Sequence, residues 1–162
     1  MEHSEYIRAV NTYGNTVYRT AYSYCKNVSD SEDIVQNVYI KLFQTKTKFT
    51  DEEHMRKWLI RVATNEAKNL CTSIWKRKMV PLEDSYETLL LWSDRDECSK
   101  LYDAVMSLPD KYRIVTYLYY YEDYAVKEIA EILKRRETTV QTQLMRAREK
   151  LKMKLKEDWK DE

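Results

Sequence analysis

The side chains with the most chemical reach lie between Val126 and Leu151, in VKEIAEILKRRETTVQTQLMRAREKL. Arg136, Thr138, Thr139, Gln141, Thr142, Gln143, Arg146 and Arg148 place guanidinium, hydroxyl and amide groups close together. These groups donate and accept hydrogen bonds. Such a set suits recognition of base edges and phosphates in a major groove. A packed helix pair with a solvated polar face accounts for the same pattern. Elsewhere His3 and His54 are isolated, and no phosphate-cradling glycine loop exists in a chain with one Gly. Cys25, Cys71 and Cys98 are odd in number, far apart in sequence and without a CxxC, so they read as reduced thiols. No nucleophile with a base, no metal cluster and no cofactor motif is visible, so neither an enzyme nor a cofactor is expected.

The elements that must position those groups follow from periodicity. Val126, Ile129, Ala130, Ile132 and Leu133 fall largely on one face of a first helix. Lys134 to Arg136 break the pattern. Val140, Leu144, Ala147 and Leu151 then recur at i, i+4, i+7 and i+11 as the apolar stripe of a second helix. This is a helix-turn-helix pattern, one helix supporting and the next presenting its polar face. Upstream, Leu101, Val105 and Leu108 predict a short helix. Pro109 suits the first turn of the next, with Ile114, Val115, Leu118, Tyr119 and Tyr121. The run Tyr117–Tyr121 reads as core and rim.

With 162 residues, one Gly and two Pro, the chain predicts an all-α protein of two small helical domains. The second would hold three to four helices. No apolar run approaches a membrane span and no signal peptide is seen, so a cytoplasmic protein without membrane insertion is expected. The net charge of +1 hides an uneven layout. Residues 1–80 carry 13 Lys and Arg against 9 Asp and Glu, residues 81–110 carry 2 against 8, and residues 111–162 carry 13 against 10. Two mildly basic blocks flanking an acidic connector fit two nucleic-acid surfaces on a tether. The expected division is 1–80, a linker at 81–99 with one apolar patch, Leu89–Trp92, and 100–162.

In the first block, Tyr6, Val10, Tyr13, Val17, Ala21 and Tyr24 predict a helix with a weak point at Gly14, where close packing or a bend is expected. Ser29, Asp30 or Ser31 would cap the next helix, EDIVQNVYIKLFQ. There Ile34, Val35, Val38, Leu42 and Phe43 are expected inward, and Asp33, Gln36, Asn37 and Lys41 outward. Thr45–Glu53 reads as a loop. A long helix follows, with Met55, Leu59, Val62, Ala63, Leu70 and Ile74 inward. Its polar and basic side includes Arg61, Asn65, Lys68 and Asn69 and ends in Lys76–Lys78. Trp58, between Met55 and Val62, is expected to pack in the core.

SEDIVQNVYIKLFQ resembles the polymerase-docking helix of bacterial sigma factors, and MRKWLIRVATNEAKN resembles their promoter-melting helix. With LPDKYRIVTYLYYYEDYAVKEIAEIL and the helix-turn-helix, the chain resembles an extracytoplasmic-function (ECF) sigma factor of the sigma-70 family, with region 2 and region 4 domains. The resemblance implies a transcription initiation factor that binds core RNA polymerase, brings it to promoter DNA and helps open the duplex, without covalent chemistry. It implies polymerase contacts from Asp33, Gln36 and Asn37. It places Arg61, Asn65, Lys68 and Asn69 along the minus-ten element, with a flipped base received by the Thr45–Glu53 loop. It places Arg136, Thr138, Thr139, Gln141, Thr142, Gln143 and Arg146 at the minus-thirty-five element. An anti-sigma factor is a candidate further partner.

The family pattern usually has Gly where Asp123 and Lys134 stand, and Ser where Ala125 and Arg136 stand. It often has Gly at Thr138, Lys at Gln141, Arg at Gln143 and Asp at Asn69. Two alternatives therefore stay open on sequence alone: a helix-turn-helix regulator acting without polymerase, and a degenerate sigma-like module for protein interaction.

Overall fold

Every regular element among the described residues is an α-helix, as a chain with so few helix breakers requires. The computed structural model describes residues 1–75 and 99–160. The linker at 81–98, its patch Leu89–Trp92, the run Lys76–Lys78 and Cys98 lie outside the described residues, as do the side chains of Ile74 and Trp75. The chain divides into two compact units, Met1–Ser85 and Tyr86–Glu162.

The first unit is built from α1 (His3–Cys25), α2 (Val28–Gln44) and α3 (Glu52–Trp75), each packed on the other two. Their stripes meet in one core: Ala9, Val17 and Ala21 from α1, Ile34, Val38 and Leu42 from α2, and Met55, Leu59, Ala63 and Ala67 from α3. Full burial of a Leu or Ile contributes about 1.5–3 kcal/mol, so these stripes dominate the unit's stability. Trp58 and Phe49 pack against this core as expected of Trp58, their rings edge to face at 5.6 Å. Phe49 thereby pins the Thr45–Asp51 loop. The Asp51 carboxylate accepts the His54 N–H at 2.7 Å and caps α3.

Three expectations for this unit are corrected. α1 runs unbroken through Gly14, and a Cβ there would meet nothing within 4 Å, so close packing does not explain that glycine. The cap of α2 is Asn27, whose side chain accepts the Asp30 N–H at 2.9 Å, and not Ser29, Asp30 or Ser31. Ser31 instead turns inward and bonds the Asn27 carbonyl at 2.6 Å. Phe43, expected inward, is 66% exposed. Leu42 takes the core position at that turn, and Phe43, further round the helix, faces outward.

The second unit contains α4 (Ser99–Met106), α5 (Asp110–Tyr120), α6 (Val126–Leu133) and α7 (Glu137–Lys160). Val105, Ile114, Val115, Leu118, Ile129, Ile132, Val140, Leu144 and Ala147 are buried, so the stripes expected of the helix-turn-helix pair do face a core. Leu101, expected to help form that face, is exposed. Two buried polar groups were not foreseen. Arg113 is sealed in, and its Nη1 donates to the carbonyls of Met106 at 3.2 Å and Leu108 at 2.8 Å, at the end of α4. A cation there meets carbonyls that have no partner within the helix. The Tyr117 hydroxyl donates to the buried Glu122 carboxylate.

The turns around α6 keep the geometry of a glycine-bearing motif without the glycines. Asp123 and Lys134 both adopt left-handed backbone, at φ 58° and 53°. The Lys134 and Arg135 N–H groups both reach the Ala130 carbonyl, which closes the end of α6. At the start of α6, Ala125 offers no side-chain cap, but Glu128 accepts the Ala125 N–H at 3.0 Å. That is half of a capping box. A left-handed non-glycine residue costs roughly 1–2 kcal/mol, and a missing cap about 0.5–2 kcal/mol. Lys134→Gly combined with Arg136→Ser is therefore expected to raise the unfolding free energy by about 1 kcal/mol or more in denaturant titration. An unchanged or lower value would show that contacts of the native side chains offset the strain.

Tyr39 gives a second test, in the first unit. Its ring is buried and its hydroxyl has no hydrogen-bond partner. Burial, with a smaller contribution from Tyr6, raises its pKa from 10.0 to about 12. A raised folded value means that the neutral form's contribution is complete below pH 10 and is lost as pH climbs toward 12. Tyr39→Phe is expected to leave stability at neutral pH equal or slightly higher, and to flatten this alkaline loss. Thermal melts across that range check both, and a steep loss persisting in the variant would assign it to another group.

Candidate nucleic-acid and protein interfaces

Asp33, Gln36 and Asn37 are all exposed on α2, one helical turn apart, while Ile34, Val38 and Leu42 fix the opposite side in the core. The same exposed side continues through Ile40 and Phe43, which are 52% and 66% exposed. Phe43 is held by Tyr6, ring centroids 5.6 Å apart and edge to face. The result is a stripe with a carboxylate and amides at one end and two large apolar groups at the other. The Asp30 carboxyl, just before it, titrates above its usual range, because it is partly buried and then because Asp33 is near. Sequence reasoning missed the apolar half, since it took Phe43 for core and passed over Ile40.

On α3, Asn65, Lys68 and Asn69 are exposed and Arg61 is half-buried. Their spacing of four, seven and eight residues from Arg61 puts them on one side of the helix. Ala63 and Ala67 hold the opposite side in the core, and Lys41 of α2 pairs with Glu66 of α3. The four predicted residues therefore share one helix side, with three of their side chains turned to solvent.

On α7, Arg136, Thr138, Thr139, Gln141 and Arg146 are exposed, and Thr142 and Gln143 are half-buried. Val140, Leu144 and Ala147 anchor the other side. Not all of the predicted groups are equally available. The Gln143 amide oxygen accepts from Arg135 Nη1 at 2.9 Å, and that nitrogen also reaches the Lys111 carbonyl at 3.5 Å. The Thr142 hydroxyl bonds back to the Thr138 carbonyl at 2.9 Å. Arg135 thus ties α5 to α7 across the turn, and Lys134 and Arg136 are exposed on either side of it. Arg148 turns away to α5, with its Nε 2.7 Å from the Tyr120 hydroxyl and its guanidinium over the Tyr119 and Tyr120 rings.

Lys111 and Tyr112 of α5 were not foreseen as part of this face. With Thr138, Thr139, Thr142, Gln143 and Arg146 they line a concavity of about 270 Å³. Lys111 and Lys150 lie 5.0 and 5.9 Å from the Tyr112 ring centroid. The nearby Arg146 side chain, helped by the charges of Lys111 and Arg146 and opposed by burial, lowers the Tyr112 pKa below the ordinary 10.0. The face combines three cations with amides and hydroxyls, a set that can grip phosphates and read base edges.

A second concavity in this unit, about 670 Å³, is lined by Leu101, Val105, Tyr120, Tyr121, Leu151 and Leu155 and edged by Arg148, Lys152 and Lys156. It is mostly apolar and lies between α4, α5 and α7. Such a surface suits a protein helix better than a nucleic acid. No helix among the described residues is long and apolar enough to cross a membrane.

Two family models match this chain: Sigma-70 region 2 over residues 9–77 and Sigma-70, region 4 over residues 98–151. Its relatives include the RNA polymerase sigma factor SigV of Bacillus subtilis (strain 168), 28% identical over 156 residues that cover 94% of this chain and 92% of that protein. The ECF RNA polymerase sigma factor SigW of the same organism is 28% identical over 170 residues, covering 91% and 87%. Among solved structures, the sigma factor RpoE in complex with the anti-sigma factor NepR from Bartonella quintana shares the fold. Its TM-score is 0.72 at 16% identity, over 94% of this chain and 97% of that one.

The Tyr112–Arg146 pairing can be read directly. Tyr112 is expected to lose its proton at lower pH than a typical tyrosine, followed by residue-resolved NMR titration of the ring. Arg146→Ala should move that titration upward. An unmoved titration would mean that the two side chains do not meet in solution.

Proposed function

Because the chain belongs to the sigma-70 family as an ECF sigma factor, we propose that the exposed side of α2 is its polymerase-docking surface. Proteins of this kind direct RNA polymerase to promoters through regions 2 and 4 and catalyse no covalent step. Residues 1–80 hold core polymerase and the minus-ten element, 81–99 connect, and 100–162 read the minus-thirty-five element. The work is done in the cytoplasm, where polymerase meets DNA.

Asp33, Gln36 and Asn37 meet arginine, amide or backbone groups of polymerase, and Ile40 and Phe43 extend the contact with apolar area. The observation that carries this is that single exposed stripe, opposite a helix side wholly committed to the core. Arg61, Asn65, Lys68 and Asn69 follow the opened minus-ten strand, beside the loop pinned by Phe49. Thr138, Thr139, Gln141 and Arg146 enter the major groove, with Arg136 and Lys111 toward phosphates. The Thr142 hydroxyl proton and the Gln143 amide oxygen are already engaged within the protein, so Gln143 would offer a base its NH2 group rather than its oxygen. The apolar groove edged by Arg148, Lys152 and Lys156 fits a helix of a protein partner. An anti-sigma factor seated there would withhold the protein from polymerase.

Removing one partner of a desolvated charged hydrogen bond typically costs about 2–5 kcal/mol of binding. Asp33→Ala combined with Gln36→Ala is therefore expected to weaken binding to core polymerase at least about tenfold. Helicity and melting should stay nearly unchanged, since both side chains are outside the core. Normal polymerase binding by a folded double variant would remove α2 from the docking surface.

A further inference from the structure

Cys25 and Cys71 are 46 residues apart in sequence, and nothing in their spacing connects them. In the fold their Sγ atoms stand 2.9 Å apart. Cys25 is the last residue of α1 and Cys71 lies in the closing turns of α3. Both are half-buried rather than sealed in the core. The position is fixed from both sides. Cys25 Sγ lies 3.8 Å from the Ala67 carbonyl, one turn before Cys71, and packs on the core that includes Ala21 and Ala67. After Cys25 the chain turns away through the left-handed Lys26, whose N–H bonds the Tyr22 carbonyl at 2.9 Å.

We propose that Cys25 and Cys71 form a dithiol modification site, closing reversibly to a disulfide under a low-molecular-weight disulfide oxidant. This goes beyond polymerase and promoter binding and does not rest on that reading. The sulfurs need to approach by only about 0.9 Å to reach bonding distance, a shift that side-chain rotation on two helix ends supplies. The exchange proceeds in two displacements. One thiolate attacks the oxidant's disulfide, forming a mixed disulfide and releasing one small thiol. The second cysteine, already in contact, attacks the protein sulfur of that mixed disulfide and releases the other small thiol. The protein loses two protons and two electrons, and the oxidant gains both. The new bond closes a loop spanning α2 and fastens the last turns of α3 to the end of α1, one turn after Lys68 and Asn69. Excess small thiol runs the sequence backward.

The test uses the full chain carrying Cys98→Ser, so that only these two thiols remain, equilibrated in buffers of reduced and oxidised glutathione. Expected are an intact mass lower by two hydrogens, a proteolytic peptide pair joining Cys25 to Cys71, and reversal by excess dithiol. The oxidised form should melt at least about 8 °C higher, as expected for a cross-link that restricts a long loop of the unfolded chain. Adding Cys71→Ser or, separately, Cys25→Ser should leave a single glutathione adduct and no rise in melting temperature. Accumulation of two glutathione adducts without a cross-link would overturn the proposal. So would failure of either thiol to react in a protein that circular dichroism shows to be folded.

Discussion

Each helix of this protein has one side to bury, and burying it decides what every other residue on that helix can do. With no sheet among the described residues, the two cores are made mainly from helical stripes, with Phe49, Leu108 and Tyr124 added from the connections. Ile34, Val38 and Leu42 set the roll of α2, and so Asp33, Gln36 and Asn37 have nowhere to go but outward. Val140, Leu144 and Ala147 do the same for α7 and turn Thr138, Thr139, Gln141 and Arg146 to solvent. These polar faces need no dedicated scaffold. They are what remains of each helix once its apolar side is committed.

This explains why the fold class was legible in the sequence, whereas the broad role came from the resemblance of its helix motifs to a known family. A 3.6-residue stripe has one helical solution, and the polar complement follows from it. What was not legible depended on neighbours distant in the chain. Phe43 follows Leu42, and hydrophobicity alone did not say which one the core would take. Asn27 and the Ser29–Ser31 cluster are all competent caps, and only the path of α1 through Lys26 selects Asn27. The Arg135–Gln143 bond, the Tyr112–Arg146 pair and the Cys25–Cys71 contact each join residues whose meeting is set by packing.

The atypical turn between α6 and α7 follows the same logic. Lys134, where the family pattern usually has glycine, still adopts the left-handed backbone, and the buried stripes of both helices flank that turn. The local cost is borne by the core. In return, the turn gains two guanidinium groups, one tying α5 to α7 and one facing outward. Amides stand at Gln141 and Gln143, where the family pattern often has basic side chains. The face therefore differs in chemistry from that pattern at these two positions.

The most direct measurement of this account is transcription from a library of genomic fragments by core RNA polymerase, with and without this protein. The account predicts transcripts with defined start points only when both are present, from fragments sharing two short elements at fixed separation. Tight, selective binding of the protein alone to the same fragments, with no polymerase-dependent initiation, would contradict it.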